Sequence, residues 1–174
     1  RIAEQFRHIV DAHATEFMLV NVSELREFVM EARMLGDICW DAKTALAGDS
    51  PADRYVDWWS REYFGNGATS AAKVYRDYAK LLDSYDKQWA GSDDVQRLVE
   101  ALSNRMNGKK FDPPAAGLAA QLHERNAQYA AAFADADAAM AKMNWMQKQY
   151  FFENALLPMV FDYRPTQAAE ILVK

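Results

Sequence analysis

Phe17-Met18-Leu19-Val20-Asn21-Val22-Ser23-Glu24 is where the character of this chain changes. Phe17 to Val20 is an unbroken apolar run with no polar alternation, the pattern of a strand buried on both faces of a parallel sheet. Ser23 then has the chemistry of a helix cap, and Glu24 the charge that suits a helix's first turn. Upstream, Ile2, Phe6, Ile9 and Val10 recur at helical spacing, so a helix is expected to end near Ala14-Thr15 and lead into the strand. A helix feeding a buried parallel strand is half of an α/β unit, and such sheets gather ligands at the carboxyl ends of their strands. Asn21, Ser23 and Glu24 are therefore the candidate binding residues. The Asn21 amide can both donate and accept, and it can equally cap its own turn. Glu24 can act as an acid or base, or simply complement the helix dipole.

From Ser23 onward the pattern is helical throughout. Leu25, Phe28, Val29, Ala32, Leu35, Ile38 and Cys39 form one apolar stripe that continues to Trp40. Ser50-Pro51-Ala52-Asp53 opens a new helix, with a cap, a first-turn proline and a first-turn acid. It carries Tyr55, Trp58, Trp59 and Tyr63, and stops at Phe64-Gly65-Asn66-Gly67. The next helix is expected from about Thr69 to Trp89, burying Ala72, Tyr75, Tyr78, Ala79, Leu82, Tyr85 and Trp89, with Gly91 as its end. Ser92-Asp93-Asp94 caps another that closes at Asn107-Gly108, and Lys109 to Pro114 is a loop. An alanine-rich helix follows from Ala115 to Met143, with Leu118, Leu122, Tyr129, Phe133, Ala136 and Met140 on one side. Pro158 and Pro165 are expected to kink or break the last helical stretch, Asn144 to Lys174. The fold class is thus mainly α, a helical bundle preceded by one helix and one short strand.

A lone strand cannot stand by itself. Burying five residues of unpaired backbone leaves about ten polar groups unsatisfied at ~1–3 kcal/mol each, against the ~5–15 kcal/mol that holds a domain together. The partners of Phe17–Val20 are accordingly expected upstream of Arg1. Gln167 to Lys174 is amphipathic and stops without a C-cap signal, so truncation is expected at both ends. Residues 1–22 then read as the last helix and strand of an α/β barrel, and residues 23–174 as a helical bundle domain.

Composition narrows the class further. Of 174 residues, 51% are hydrophobic and 26% charged, the balance of an ordinary globular protein. The net charge of −5 and a pI near 5.2 argue against a nucleic-acid partner, which would require a basic stripe. No apolar stretch approaches the ~20 residues that span a bilayer. Cys39 stands alone, so an internal disulfide is excluded.

Val20-Asn21-Val22-Ser23-Glu24-Leu25, Phe28 and Asp37-Ile38-Cys39-Trp40-Asp41 together resemble glycoside hydrolase family 115, the xylan α-glucuronidases. In that family an Asn-Val-Gly-Asp-like stretch closes the catalytic barrel, and a helical segment ending in an aromatic-Asp or aromatic-Asn pair follows. Ser23 stands where the family has Gly, and Glu24 where it has Asp. Trp58-Trp59 with Tyr63-Phe64-Gly65 is similar to the family's aromatic-Phe-Gly stop, and Tyr150 to Met159 resembles a helix with a Leu-Tyr-Pro-Val-like element. The resemblance implies the end of a (β/α)₈ barrel up to about Val22, then a helical domain packed on it. It also implies glucuronoxylan-type carbohydrate as substrate and a secreted or periplasmic setting. An upstream barrel of the same protein would be the partner; a homodimer stays open.

Glycoside cleavage ordinarily needs two carboxyl groups ~5–9.5 Å apart. Glu24 with Glu27, Asp53 with Asp57 and Asp135 with Asp137 have helical spacing, but each pair sits on a face that reads as solvated. No catalytic residue is therefore assigned within the chain, and on its own it is expected to be inactive. His8, His13 and His123 are too scattered for a bundle metal site, so neither metal nor cofactor is expected. The aromatic run Tyr55 to Phe64 could stack on sugar, but its spacing favours core packing. Two other readings compete: a non-catalytic helical module that binds a partner protein, and a bundle enclosing an apolar ligand.

Overall fold

In the computed structural model, which describes residues 2–21, 25–85, 92–110 and 117–173, helix α1 spans Ile2–Asp11. It ends on His13, whose φ of 56° is left-handed. The His13 and Ala14 amides donate to the Val10 and Ile9 carbonyls at 3.0 and 3.1 Å, so the last turn closes on itself as a Schellman motif does. Ala3 and Phe6 pack against Met34, Ile38 and Leu46. Arg7 donates to the carbonyls of Leu46 and Gly48, which fastens α1 to the loop that follows Ala45.

The strand expected over Phe17–Val20 does not form. Residues 11–21 are all exposed, with Phe17 and Leu19 at 83%. A strand exists only through backbone bonds to a neighbouring strand, and among the described residues every regular element is helical. The apolar run signalled burial, yet no described part of the chain covers it. The fold class is corrected accordingly to all-helical among the described residues.

A 3₁₀ turn, Arg26–Phe28, leads into α2, Val29–Trp40. Its stripe is narrower than expected: Met34 and Ile38 are buried, whereas Leu25, Phe28, Cys39 and Trp40 are exposed. Asp41 ends α2 and caps α3, Ala42–Ala45, accepting from the Thr44 amide at 3.1 Å and the Thr44 hydroxyl at 2.6 Å. Helix α4, Pro51–Phe64, starts at the expected proline and stops at the expected glycine. Gly65 takes φ +50° there. Gly67 is buried, and a Cβ on it would lie 2.9 Å from Met143 side-chain atoms. Only glycine lets this turn sit so close to Met143.

Helix α5, Ala68–Tyr85, buries Ala71, Ala72, Val74, Tyr75 and Leu81. Ala79 and Leu82, expected inside, are exposed, so the inward stripe is rotated from the expected one. Helices α6, Ser92–Met106, and α7, Leu118–Met140, follow. The expected side of the alanine-rich helix is the buried one, through Leu118, Leu122, Tyr129 and Ala136, with Phe133 and Met140 half-buried. Helix α8, Trp145–Phe151, opens with a reciprocal capping box between Asn144 and Gln147, both bonds at 3.0 Å.

The prolines of the last stretch act more gently than expected. A π turn, Phe152–Leu156, precedes α9, Leu157–Val173. Pro158 follows closely on the π turn within a continuous run of helical backbone and does not end it. Pro165 lies inside α9 without ending it, and is exposed, so the lost bond is on the solvent side.

The helices stack as neighbours in the order α4, α5, α7, α9, with α6 also against α9. Trp59, Phe64, Val74, Tyr75, Tyr129, Phe151 and Met159 fill the centre. Ala132, Ala136 and Ala139 bring α7 close to its neighbours with little side chain between. Leu98, Leu118, Leu122 and Ala169 form a smaller core joining α6, α7 and α9. No described helix is long and apolar enough to cross a membrane.

Candidate functional site

Of the predicted binding residues, Asn21 is exposed at the end of the irregular segment, directly after the uncovered Phe17–Val20 run. Ser23 and Glu24 lie outside the described residues. The run and Asn21 together form a stretch of exposed residues.

Of the paired carboxylates that sequence spacing offered, Asp53, Asp57 and Asp135 are engaged elsewhere, and the Glu24–Glu27 pair lies outside what the structure describes. Asp53 and Asp57 both bind the Arg76 guanidinium, at 2.9 and 2.7 Å, and so tie α4 to α5. Asp135 meets Lys73 at 2.5 Å across α5 and α7, while Asp137 faces solvent. A carboxylate held this way is poorly placed to accept or return a proton at a glycosidic oxygen. Among the described residues no three His, Cys, Asp or Glu side chains come together as a metal site.

The aromatic residues of α4 divide by their spacing. Trp59 and Phe64 are fully buried. Trp59 lies 4.2 Å from Tyr63 between ring centroids and donates from Nε1 to the Tyr75 hydroxyl. Burial drives the Tyr75 phenol well above its usual range, and drives that of Tyr150 to about 12. Glu31 is drawn into the same neighbourhood and burial raises its pKa. Its charge is felt at Tyr75. This assembly is core rather than a sugar platform.

Tyr55 and Trp58 take the other side of α4. With Trp40, Asp37, Asp41 and Arg61 they line an open groove of about 540 Å³ between the end of α2, helix α3 and helix α4. Tyr55 and Trp58 lie 5.2 Å apart, and the Arg33 guanidinium stands 5.6 Å over the Trp58 ring. Sequence reasoning missed Trp40 and Arg61 as candidates. Trp40 looked like the end of a buried stripe, although Asp41 beside it, a capping residue, marks the chain's turn away from the core.

Residues 1–88, about half of the chain, match the family model described as glycosyl hydrolase family 115. No curated protein and no solved structure matches the chain.

Proposed function

Because the chain belongs to glycosyl hydrolase family 115, we propose that it is the helical domain of an enzyme acting on glucuronic-acid-decorated xylan, seated beside a catalytic barrel of the same protein. The observation that carries this reading is the uncovered run from Phe17 to Val20. Large apolar side chains exposed side by side mark a surface that another part of a protein covers. Here they lie inside the matched stretch, next to the amide of Asn21. The junction between the two parts falls at about residue 22, with residues 1–22 belonging to the barrel side and residues 23–174 to the bundle. Asn21, Ser23 and Glu24 then reach the rim of the cleft, where an amide can fix a sugar hydroxyl or carboxylate without adding charge. The two carboxyl groups that cleave the bond come from the barrel. Xylan lies outside the cell, so the same reading makes the protein secreted or periplasmic.

The test is a side-by-side assay of the chain and the intact enzyme on an aldouronic acid. The intact enzyme releases glucuronic acid and the chain alone releases none. Turnover by the chain alone would overturn the division of labour proposed here.

A further inference from the structure

We propose that the groove between the end of α2 and helix α4 is a binding site for a carbohydrate carrying a single carboxylate. Trp40 is 92% exposed. A side chain of its size normally buries about 150–250 Å², and here nearly all of that surface is left in water. Its indole stands on the rim of the groove, and Trp58 supplies a second aromatic surface. Planar apolar surfaces of this kind suit the C–H face of a pyranose ring.

The polar groups narrow the ligand. Arg54, Trp58 and Arg61 follow one another at helical spacing on the same side of α4. Arg54 is spent on the carbonyls of Ala47 at 2.7 Å and Ala45 at 3.1 Å, and so holds the wall formed by α3. Arg61 has no hydrogen-bond or ion-pair partner among the described residues, and it lines the groove. A carboxylate would meet it with a charge-assisted bond. The Tyr55 hydroxyl is buried beside the Asp37 carboxylate. Burial, then the nearby Asp37 carboxylate, keeps its proton in place. Asp37 and Asp41 retain acceptor capacity for sugar hydroxyls. Two aspartates balance Arg54 and Arg61 in the lining, so a polyanion such as nucleic acid finds no net attraction, whereas one carboxylate can pair with Arg61 while sugar hydroxyls meet the aspartates. The volume lies within the ~300–1,000 Å³ of small-molecule sites.

That the acid is a uronate rests on the glycosidase reading above; the groove's own chemistry asks only for a sugar with one carboxylate. The chain is titrated with glucuronosyl-xylose, with its galacturonic counterpart and with neutral xylobiose, following tryptophan fluorescence. Glucuronosyl-xylose is expected to quench saturably, Trp40→Ala to abolish the signal and the binding, and Arg61→Gln to remove an advantage of about tenfold over xylobiose. Both substituted side chains are exposed, so the fold is retained. Preference for the galacturonic sugar would keep the groove assignment and sink the glucuronoxylan reading. Absence of saturable binding to all three sugars, or binding unchanged in Trp40→Ala, would overturn the groove proposal while leaving the placement beside a barrel untouched.

Discussion

The Trp59 indole Nε1 donates to the Tyr75 hydroxyl at 3.4 Å, and both rings are buried where α4 crosses α5. This contact joins the largest buried side chain of α4 to a phenol that burial keeps neutral. Trp59→Ala removes the donor and leaves a cavity, so it should destabilise the fold by ~3–5 kcal/mol. Trp40→Ala, at the exposed end of α2, should change stability by no more than ~0.5 kcal/mol. Urea denaturation of the two variants checks the contrast, and equal losses would contradict the division of the tryptophans into core and surface.

Two glycines should respond in opposite directions. Gly67→Ala drives a Cβ to within 2.9 Å of Met143 side-chain atoms and 3.3 Å of the Ala139 carbonyl. Overpacking of this kind should lower stability by ~1–3 kcal/mol. Gly36 lies inside α2 with nothing within 4 Å of its added Cβ. Gly36→Ala should instead raise stability by ~0.5–1 kcal/mol, because alanine restricts the unfolded chain and favours helix. Thermal melts of both variants provide the comparison.

Glu31 ties stability to pH. Burial raises its pKa in the folded chain above the ordinary glutamate value. Below that ordinary value the group is neutral in both states and costs nothing. As pH rises through the raised folded value, the folded state must hold a half-buried carboxylate, and stability falls. Glu31→Gln should therefore be more stable than the parent at neutral pH, and the gap should close as pH drops below the ordinary glutamate range. Urea melts at neutral and acidic pH measure it; a gap that stays constant would show that Glu31 is well solvated.

The parts of this fold legible in the sequence are those set by local chemistry. Pro51 and Gly65 bound α4 where expected, because a first-turn proline and a left-handed glycine act through their own backbone. Leu118, Leu122, Tyr129 and Ala136 marked the inner side of α7 because its alanines leave few alternatives. Phe17–Val20 misled because an apolar run reports a preference for burial, and burial depends on what stands opposite. Trp40 misled for the same reason from the other direction, as helical spacing extends a stripe past the point where the neighbouring helix ends. Ala79 and Leu82 came out exposed because long helices offer adjacent stripes that differ by one residue. Asn21 was placed by its position after an expected strand, and that strand does not form. The groove beside Trp40 was not legible, since it forms only where α2, α3 and α4 meet.

The central claim is that this chain reaches the catalytic cleft through the edge that ends at Asn21. Asn21→Ala in the intact enzyme tests it most directly, with kcat/KM for glucuronic acid release from an aldouronic acid measured beside the melting temperature. Loss of one hydrogen-bonding amide should lower kcat/KM roughly ten- to hundred-fold, about 1–3 kcal/mol, with the melting temperature unchanged. The residue is exposed and makes no core contact, so a purely structural role predicts no such loss. Normal turnover in Asn21→Ala would contradict the account.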